Sequence, residues 1–209
     1  RFAGFEGEWQ ELNLEHVFKR ITRKNTEGNT NVVTISAQKG LIKQEEFFNK
    51  TIASETLDNY FLLKQGEFAY NKSYSNGYPM GAVKRLNNFD KAVVTTLYIC
   101  FAIKEHTQSC SNFFEHYFES GRLIPGLMKV ANEGGRAHGL LNVTPRDFFN
   151  LKIHIPEFKE QQKIASVLTA ADTEIATHQK QLAALKEQKK GLMQQLLTGK
   201  KRVKVDSHV

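Results

Sequence analysis

The chain has 209 residues, of which 40% are hydrophobic and 24% are charged. This composition supports a folded domain of ordinary size with an appendage and argues against a wholly disordered chain; with no recognisable signal peptide and no apolar run near 18 residues, we expect neither secretion nor a membrane span. The formal net charge of +7 fits an acidic partner such as a nucleic acid, although an excess of this size is also common in proteins that bind none.

The first three quarters of the sequence predict a strand-rich body. Residues 12–18 fit either a short strand or the start of a helix. Further strand-like stretches are rich in β-branched or alternating apolar residues. They are 32–36, 37–42 as a turn leading into another extended piece, 61–70 as two pieces around Gly66, 82–86, 92–101 as the strongest strand of the body, and 151–155.

Helical signals are fewer in this body. Residues 111–118 are rich in aromatic residues and carboxylates and predict a helix, and Thr144 with Pro145 resembles a helix start with its cap. Together the elements predict an α+β fold in which a mixed, strand-rich domain precedes one long helix.

The last quarter carries a heptad pattern, in which apolar positions alternate in steps of four and three. A helix opening at Pro156 and ending near Leu197, with Gly199 as its stop, spans roughly 60 Å. We call the a/d positions the stripe: Ile164, Leu168, Ala171, Ile175, His178, Leu182, Leu185, Lys189, Leu192 and Leu196.

A helix this long cannot bury the whole stripe against one compact body, so the pattern predicts a partner helix. Docking of the helix on its own domain is the alternative. His178 and Lys189 interrupt the stripe and would set register and partner choice in an antiparallel pair. We predict a domain at 1–155, a coiled-coil helix at 156–199 and a basic tail at 200–209.

Two loops offer the side chains with which proteins contact nucleic acids. In the first, residues 71–81 with the adjoining Tyr70, tyrosines can stack on bases, asparagines can hydrogen-bond with an adenine edge and lysine can contact a phosphate. In the second, Arg136 and His138 lie between glycines and could contact a phosphate or a guanine. The alternative for each loop, that it is an ordinary polar surface segment without a binding role, stays open. The candidates are Tyr70, Asn71, Lys72, Tyr74, Asn76, Tyr78, Arg136 and His138, with Lys39, Lys43, Lys84 and Arg85 as phosphate contacts.

No catalytic or metal-binding motif is recognisable in the sequence. It has no Walker loop, no HExxH, no GxSxG and no acidic cluster spaced for magnesium. Cys100 and Cys110 lack the spacing of a metal site, and Cys100 lies in an apolar run that predicts a buried thiol. Unpaired cysteines fit a reducing compartment, so we expect a cytoplasmic protein. The lack of recognisable motifs predicts neither a catalytic nor a metal site.

Several segments resemble one protein family. Residues 155–165 (IPEFKEQQKIA), 182–186 and 189–199 (KKGLMQQLLTG) are similar to the long helical region of the specificity subunits of type I restriction–modification systems. Residues 1–9, 66–72 and 141–148 resemble parts of a target-recognition domain in that family. The resemblance covers nearly the whole chain, and its helical part is the specific one.

The resemblance implies a non-catalytic subunit that reads one half of a bipartite DNA site. In the family, two recognition domains are separated by two antiparallel helices, which set the gap between half-sites. Methyltransferase subunits dock on this frame and methylate adenine with S-adenosylmethionine, and motor-nuclease subunits join them for restriction. The cofactor would therefore belong to the partner subunits.

This chain departs from the family pattern in having one recognition domain and one helix. It is therefore expected to be either half of a longer subunit or a half-subunit that pairs with itself, and its start at Arg1 rather than Met favours a fragment. Either way the unpaired stripe predicts a two-fold dimer. A coiled-coil scaffold without DNA contact and an enzyme with an unfamiliar site are the alternative hypotheses.

Overall fold

The structure is a computed structural model that describes residues 2–48, 56–131 and 141–203. The chain forms two compact units, Arg1–Ala165 and Ser166–Val209. The strands of the described part all belong to the first unit: β1 Gln10–Asn13, β2 Phe18–Ile21, β3 Val33–Ser36, β4 Gly40–Lys43, β5 Phe61–Lys64, β6 Phe68–Asn71, β7 Ala82–Arg85, β8 Lys91–Val94, β9 Ile99–Ile103 and β10 Lys152–Ile155.

Short helices interrupt these strands, and a long one follows them. They are α1 Leu14–Val17, α2 Gln44–Phe48, α3 Ser111–Glu119, α4 Ile124–Val130, α5 Pro145–Phe149 and α6 Phe158–Leu197. The mixed α+β architecture with one long C-terminal helix is the predicted fold class, which is confirmed. None of the helices in the described ranges is long and apolar enough to cross a membrane.

A four-stranded antiparallel sheet in the order β2-β9-β6-β7 is the centre of the first unit. Antiparallel pairs β1–β10, β3–β4 and β5–β8 complete the β structure of the described residues. In the central sheet Phe68 of β6 lies opposite Phe101 of β9, and their rings stack at 5.4 Å between centroids. The central strands are short and almost entirely apolar because both faces of the sheet are buried.

Alternation along these strands separates two hydrophobic cores. Phe68 and Phe101 point to an aromatic core that contains Phe18, Phe114 and Phe118, whose rings meet mostly edge to face. The intervening residues point to a second, mainly aliphatic core on the other face. Helix α3 covers the aromatic core because its aromatic side chains recur one helical turn apart.

The predicted strand at 92–101 is two strands, which corrects the sequence interpretation. β8 pairs with β5, whereas β9 pairs with β2 and β6, so the two strands belong to different sheets. A turn separates them, in which the Tyr98 amide donates to the Thr95 carbonyl at 3.3 Å. The other strand predictions, the helix at 111–118 and the buried state of Cys100 are confirmed.

Helix α5 begins as its sequence predicts. The Thr144 hydroxyl accepts from the Asp147 amide at 3.2 Å, and the Asp147 carboxylate accepts from the Thr144 amide at 3.4 Å. This capping box satisfies two backbone donors at the helix start. Helices α2 and α4 were not predicted, and α4 contains Pro125 and Gly126, which have low helix propensity.

The first turns of α6 are part of the first unit. Glu160, Gln161 and Ala165 are buried there, and the Gln161 side chain accepts from the Cys110 amide and donates to the Pro156 carbonyl. The compact unit therefore continues beyond residue 155, where the domain boundary was predicted. At its other end α6 stops as expected.

Gly199 ends the long helix. It lies two residues after the last helical residue, Leu197, with φ +73°, and its amide donates to the Leu196 carbonyl at 3.2 Å. The Lys201 amide donates to the Gln195 carbonyl at 3.0 Å. These bonds satisfy carbonyls that a helix end would otherwise leave without a partner.

Candidate nucleic-acid interface

The connection between β6 and β7, residues 72–81, forms a small hairpin that we call the finger. Ser75 and Tyr78 exchange two backbone hydrogen bonds, of 3.2 and 2.8 Å, across the two-residue turn Asn76–Gly77. Gly77 has φ +81°, a conformation that side chains rarely adopt. The segment predicted as a flexible loop is therefore a folded hairpin with a defined tip.

The base of the finger is tightly closed. Gly81 has φ +77°, and a Cβ atom there would lie 2.2 Å from the Asn71 carbonyl oxygen. The Tyr70 hydroxyl donates to the Met80 carbonyl at 2.7 Å, and the Asn71 side chain accepts from the Ser73 amide at 3.1 Å. These contacts fix where the finger leaves the sheet.

A second turn docks against the tip of the finger. The Gln38 side chain, in the turn between β3 and β4, donates to the Asn76 carbonyl at 3.1 Å. This contact docks the turn that carries the exposed Lys39 on the tip, where Asn76 is exposed as well. The structure thus joins two candidate sites that are 37 residues apart in the sequence. Gln38 was not among the predicted contact residues. Its local signal in the sequence is weak, namely a polar side chain directly before Lys39.

Three side chains anchor the finger to α3. The Tyr78 hydroxyl donates to the Glu119 carboxylate, and the Lys84 ammonium lies 2.5 Å from the other Glu119 oxygen. The Lys84 ammonium is also 3.2 Å from the Tyr78 hydroxyl and 4.7 Å from its ring centre. Burial and the hydrogen bond to Glu119 raise the pKa of Tyr78 to about 12, so its hydroxyl remains a donor at neutral pH. Nothing in the local sequence indicates Glu119.

Five predicted contact residues keep exposed or half-buried side chains. Tyr74 is 63% exposed, and Asn76, Lys39 and Lys43 are exposed as well. Lys72 is half-buried at the start of the finger, and its carbonyl accepts from the Leu141 amide at 2.9 Å. These five remain candidates for contact with a nucleic acid.

Tyr70 is not available for stacking on a base, which corrects its prediction. It is fully buried in β6, where its ring stacks on Phe148 at 4.9 Å between centroids. The strand alternation turns Tyr70 toward the aromatic core, whereas Tyr74 lies beyond the strand in the finger. Asn71, next to it, is half-buried and occupied in closing the base of the finger.

Lys84 and Arg85, two of the predicted phosphate contacts, have carboxylate partners within the protein. Lys84 is held by Glu119, and Tyr78 is held by the same carboxylate. Arg85 forms an ion pair with Glu115 at 2.5 Å and also donates to Ser111 and Asn112. Two further candidates, Arg136 and His138, lie outside the described residues.

The stripe of α6 is solvent-exposed through most of its length. Ile164 is half-buried in the first unit, whereas Leu168 and all later positions of the stripe are exposed. Leu182 and Leu185, at its middle, are 52% and 61% exposed. An exposed apolar stripe of this length is unusual for a monomer.

Charge is distributed unevenly along the same helix. Residues 166–179 contain Asp172 and Glu174 but no lysine or arginine. Residues 180–203 contain seven lysines and arginines and one acidic residue, Glu187. The second unit is therefore acidic near its start and basic toward its end.

No group of His, Cys, Asp or Glu side chains in the described residues could hold a metal ion. Burial raises the pKa of the Cys100 thiol to about 12, and the nearby Glu67 carboxylate raises it further, so this thiol is protonated at neutral pH and is a poor nucleophile.

Comparison with solved structures supports the fold. A solved chain described as "Structural basis underlying complex assembly and conformational transition of the type I R-M system" matches with a TM-score of 0.60 and 15% identity, over 99% of this chain and 53% of its own. The HsdS subunit of Thermoanaerobacter tengcongensis matches with a TM-score of 0.60 and 16% identity, over 91% of this chain and 48% of its own. At these identities the likeness is one of fold.

Curated relatives match a smaller region at higher identity. The MjaVIII specificity subunit of Methanocaldococcus jannaschii is 35% identical over 83 residues, which are 40% of this chain and 19% of the relative. The putative MjaX specificity subunit of the same organism is 36% identical over 102 residues, which are 49% of this chain and 23% of the relative. The chain covers about half of the solved chains and about a fifth of these relatives.

A family model covers most of the sequence. The model described as "Type I restriction modification DNA specificity domain" matches residues 6–187. The match includes the strand-rich unit, the finger and most of α6. The chain therefore belongs to the family of type I restriction modification DNA specificity domains.

Proposed function

We propose that this chain is a DNA-recognition subunit of a type I restriction–modification complex, that it reads one half of a bipartite site, and that it is not itself catalytic. Membership of the specificity-domain family supports the general role. One observation carries the assignment of the reading site: a hairpin exposes an aromatic ring and an amide, Tyr74 and Asn76, and docks through the Asn76 carbonyl on Gln38, the residue before the exposed Lys39.

The finger has the form and chemistry needed to enter a major groove. That groove admits a two-stranded ribbon, and an asparagine amide at its tip can donate and accept at the N6 and N7 atoms of adenine. Tyr74 can stack on a base or hydrogen-bond with it. Asn76 and Tyr74 are therefore the proposed base readers.

Lysines around the finger are the proposed phosphate contacts. Lys39 lies beside the tip, Lys43 is exposed on β4, and Lys72 begins the finger. Phosphate contacts of this kind position a protein on the duplex without specifying sequence. Arg136 and His138 remain candidates on the strength of the sequence alone.

The exposed stripe of α6 is proposed to pair with the same helix of a second copy, in antiparallel orientation. Antiparallel pairing places the acidic start of each helix, with Asp172 and Glu174, opposite the basic end of the other. Parallel pairing would instead bring like charges together. The pair would hold two reading fingers, one from each copy.

Methyltransferase and motor-nuclease subunits are the proposed protein partners, as the resemblance to the family implies. S-adenosylmethionine would be bound by the methyltransferase subunits.

Selection of binding sites from random duplexes, with the methyltransferase partner present, tests the reading function. Asn76→Ala should relax the preference at one base and weaken binding by about 1–3 kcal/mol. Lys39→Ala should weaken binding to all sequences and lower the salt slope by about 1. Lys19→Ala is the matched control, because Lys19 is exposed on β2 at the edge of the sheet opposite β7.

Each alternative hypothesis has its own outcome in this experiment. A coiled-coil scaffold would bind its partner protein, but the selection would yield no preferred sequence and no salt-dependent DNA affinity. An enzyme with an unfamiliar site would show turnover without the other subunits. If Asn76→Ala and Lys39→Ala both bind DNA as the parent does, the finger is not the reading site.

A further inference from the structure

We propose that Glu119 is a positioning residue that, through Tyr78 and Lys84, fixes the conformation of the finger before DNA is bound. The proposal rests on the function proposed above and adds to it the element that makes the finger rigid. Glu119 is the last residue of α3 and belongs to neither strand of the finger.

The three side chains come from three different elements and each contacts the other two. Tyr78 belongs to the finger, Lys84 to β7 and Glu119 to α3. One Glu119 oxygen accepts from the Tyr78 hydroxyl and the other lies 2.5 Å from the Lys84 ammonium. Lys84 is 3.2 Å from the Tyr78 hydroxyl, which closes the triangle. A closed set of this kind restrains the tyrosine in more than one direction.

Helix α3 is the fixed side of this contact and the finger is the dependent side. Phe114 and Phe118 hold α3 in the aromatic core, and Glu115 pairs with Arg85 one turn before Glu119. Within the described ranges, the contacts that support the tip of the finger are a two-residue turn and a hydrogen bond from Gln38. Removal of Glu119 should therefore loosen the finger and leave α3 in place.

Tyr78 is well placed to transmit the restraint. Its amide and carbonyl form the two hydrogen bonds with Ser75 that close the tip, so its side-chain anchor and the hairpin share one residue. Tyr74 and Asn76 lie on either side of Ser75 in the sequence. The anchored tyrosine thus determines how the proposed readers are presented.

A finger that is ordered before binding loses less conformational entropy when it meets DNA. If Tyr74 and Asn76 must instead be ordered during binding, affinity should fall roughly 5- to 100-fold. The number of phosphate contacts does not change, so the salt slope should stay the same. This combination distinguishes a positioning role from a direct phosphate contact.

The test compares three variants of the full chain. Glu119→Ala removes the anchor, Glu119→Gln keeps an oxygen that can accept from Tyr78, and Glu115→Ala is the matched control because it removes a neighbouring ion pair on α3. Two quantities are measured: hydrogen exchange of the Ser75 and Tyr78 amides in the free protein, and DNA affinity at several salt concentrations with the methyltransferase partner present.

Glu119→Ala should speed exchange of both finger amides at least 10-fold and leave the α3 amides unchanged. It should lower DNA affinity roughly 5- to 100-fold and leave the salt dependence of binding unchanged. Glu119→Gln should restore most of the affinity, and Glu115→Ala should leave the finger amides unchanged. If Glu119→Ala does not fold, Tyr78→Phe replaces it under the same criteria, since phenylalanine keeps the ring and removes the donor.

Unchanged exchange of the finger amides would overturn the positioning role whatever happens to DNA binding. Faster exchange with unchanged affinity would also overturn it, provided that Tyr74→Ala weakens binding; the proposed function would then stand. If neither Glu119→Ala nor Tyr74→Ala changes affinity, the finger does not read DNA, and both proposals fail together.

Discussion

Replacement of Leu182 and Leu185 by alanine is the sharpest test of helix pairing, because the structure gives the surface that a partner would cover. The two side chains are 52% and 61% exposed. Complete burial of a leucine contributes about 1.5–3 kcal/mol, so covering half of one contributes about 0.8–1.5 kcal/mol. Two leucines in each of two chains then contribute about 3–6 kcal/mol, which corresponds to a roughly 10²- to 10⁴-fold change in the dimer Kd.

Sedimentation across a range of protein concentrations measures this change directly. Alanine and leucine have nearly equal helix propensities, so the substitutions should not unfold α6 itself. The matched control is Lys180→Ala with Glu187→Ala, which leaves the net charge unchanged. At 100° per residue both positions lie on the face of the helix opposite the stripe.

We expect dissociation of the leucine variant and an unchanged dimer for the control. A parent protein that is monomeric at tens of micromolar would refute self-pairing. Equal dimer Kd values for the parent and the leucine variant would show that some other surface holds the dimer. Loss of pairing in the control alone would mean that the charged face makes the contact.

Two further predictions concern stability. Burial raises the pKa of Cys100 in the folded protein, so its contribution to the free energy of unfolding is fully present below pH 9 and is lost as pH rises from 9 to about 12. By linkage the loss reaches about 4 kcal/mol. Urea unfolding at several pH values should show that the free energy of unfolding of Cys100→Ala falls less steeply at alkaline pH than that of the parent, and an equal fall would refute the assignment. Gly81→Ala should destabilise the protein by more than about 2 kcal/mol, because the new Cβ meets both a positive φ and the Asn71 carbonyl oxygen, whereas Gly77→Ala meets only the positive φ and should lose about 1 kcal/mol. Equal losses in the two glycine variants would contradict the close contact at the base of the finger.

Local sequence signals were sufficient where the structure is decided by neighbouring residues. The heptad pattern predicted α6, and Gly199 its end, because helix periodicity and termination are local properties. The cap at Thr144 was predicted for the same reason. Each of these features depends on residues within a few positions of one another.

Features that depend on distant partners could not be predicted from the sequence. Tyr70 ends a predicted strand and Tyr74 follows it in a polar loop, but the sequence does not show which face of that strand is covered; the pairing of β6 with β9 accompanies the burial of Tyr70. Lys84 and Arg85 look like free cations, and their carboxylate partners lie about 30 residues later on α3. The turn inside 92–101 was hidden because both flanking strands are buried and have similar composition.

The closed base of the finger has a consequence for how recognition can change over time. The contacts of Gly81 and of the Tyr70 hydroxyl separate the exposed tip from the two cores, so substitutions at Tyr74 and Asn76 should alter folding free energy by only about 0.5 kcal/mol. The residues at the tip can therefore be substituted, by evolution or by randomisation in the laboratory, while the rest of the domain keeps its fold. A new target preference would then require substitutions at only a few exposed positions, without changes to the buried residues of the domain.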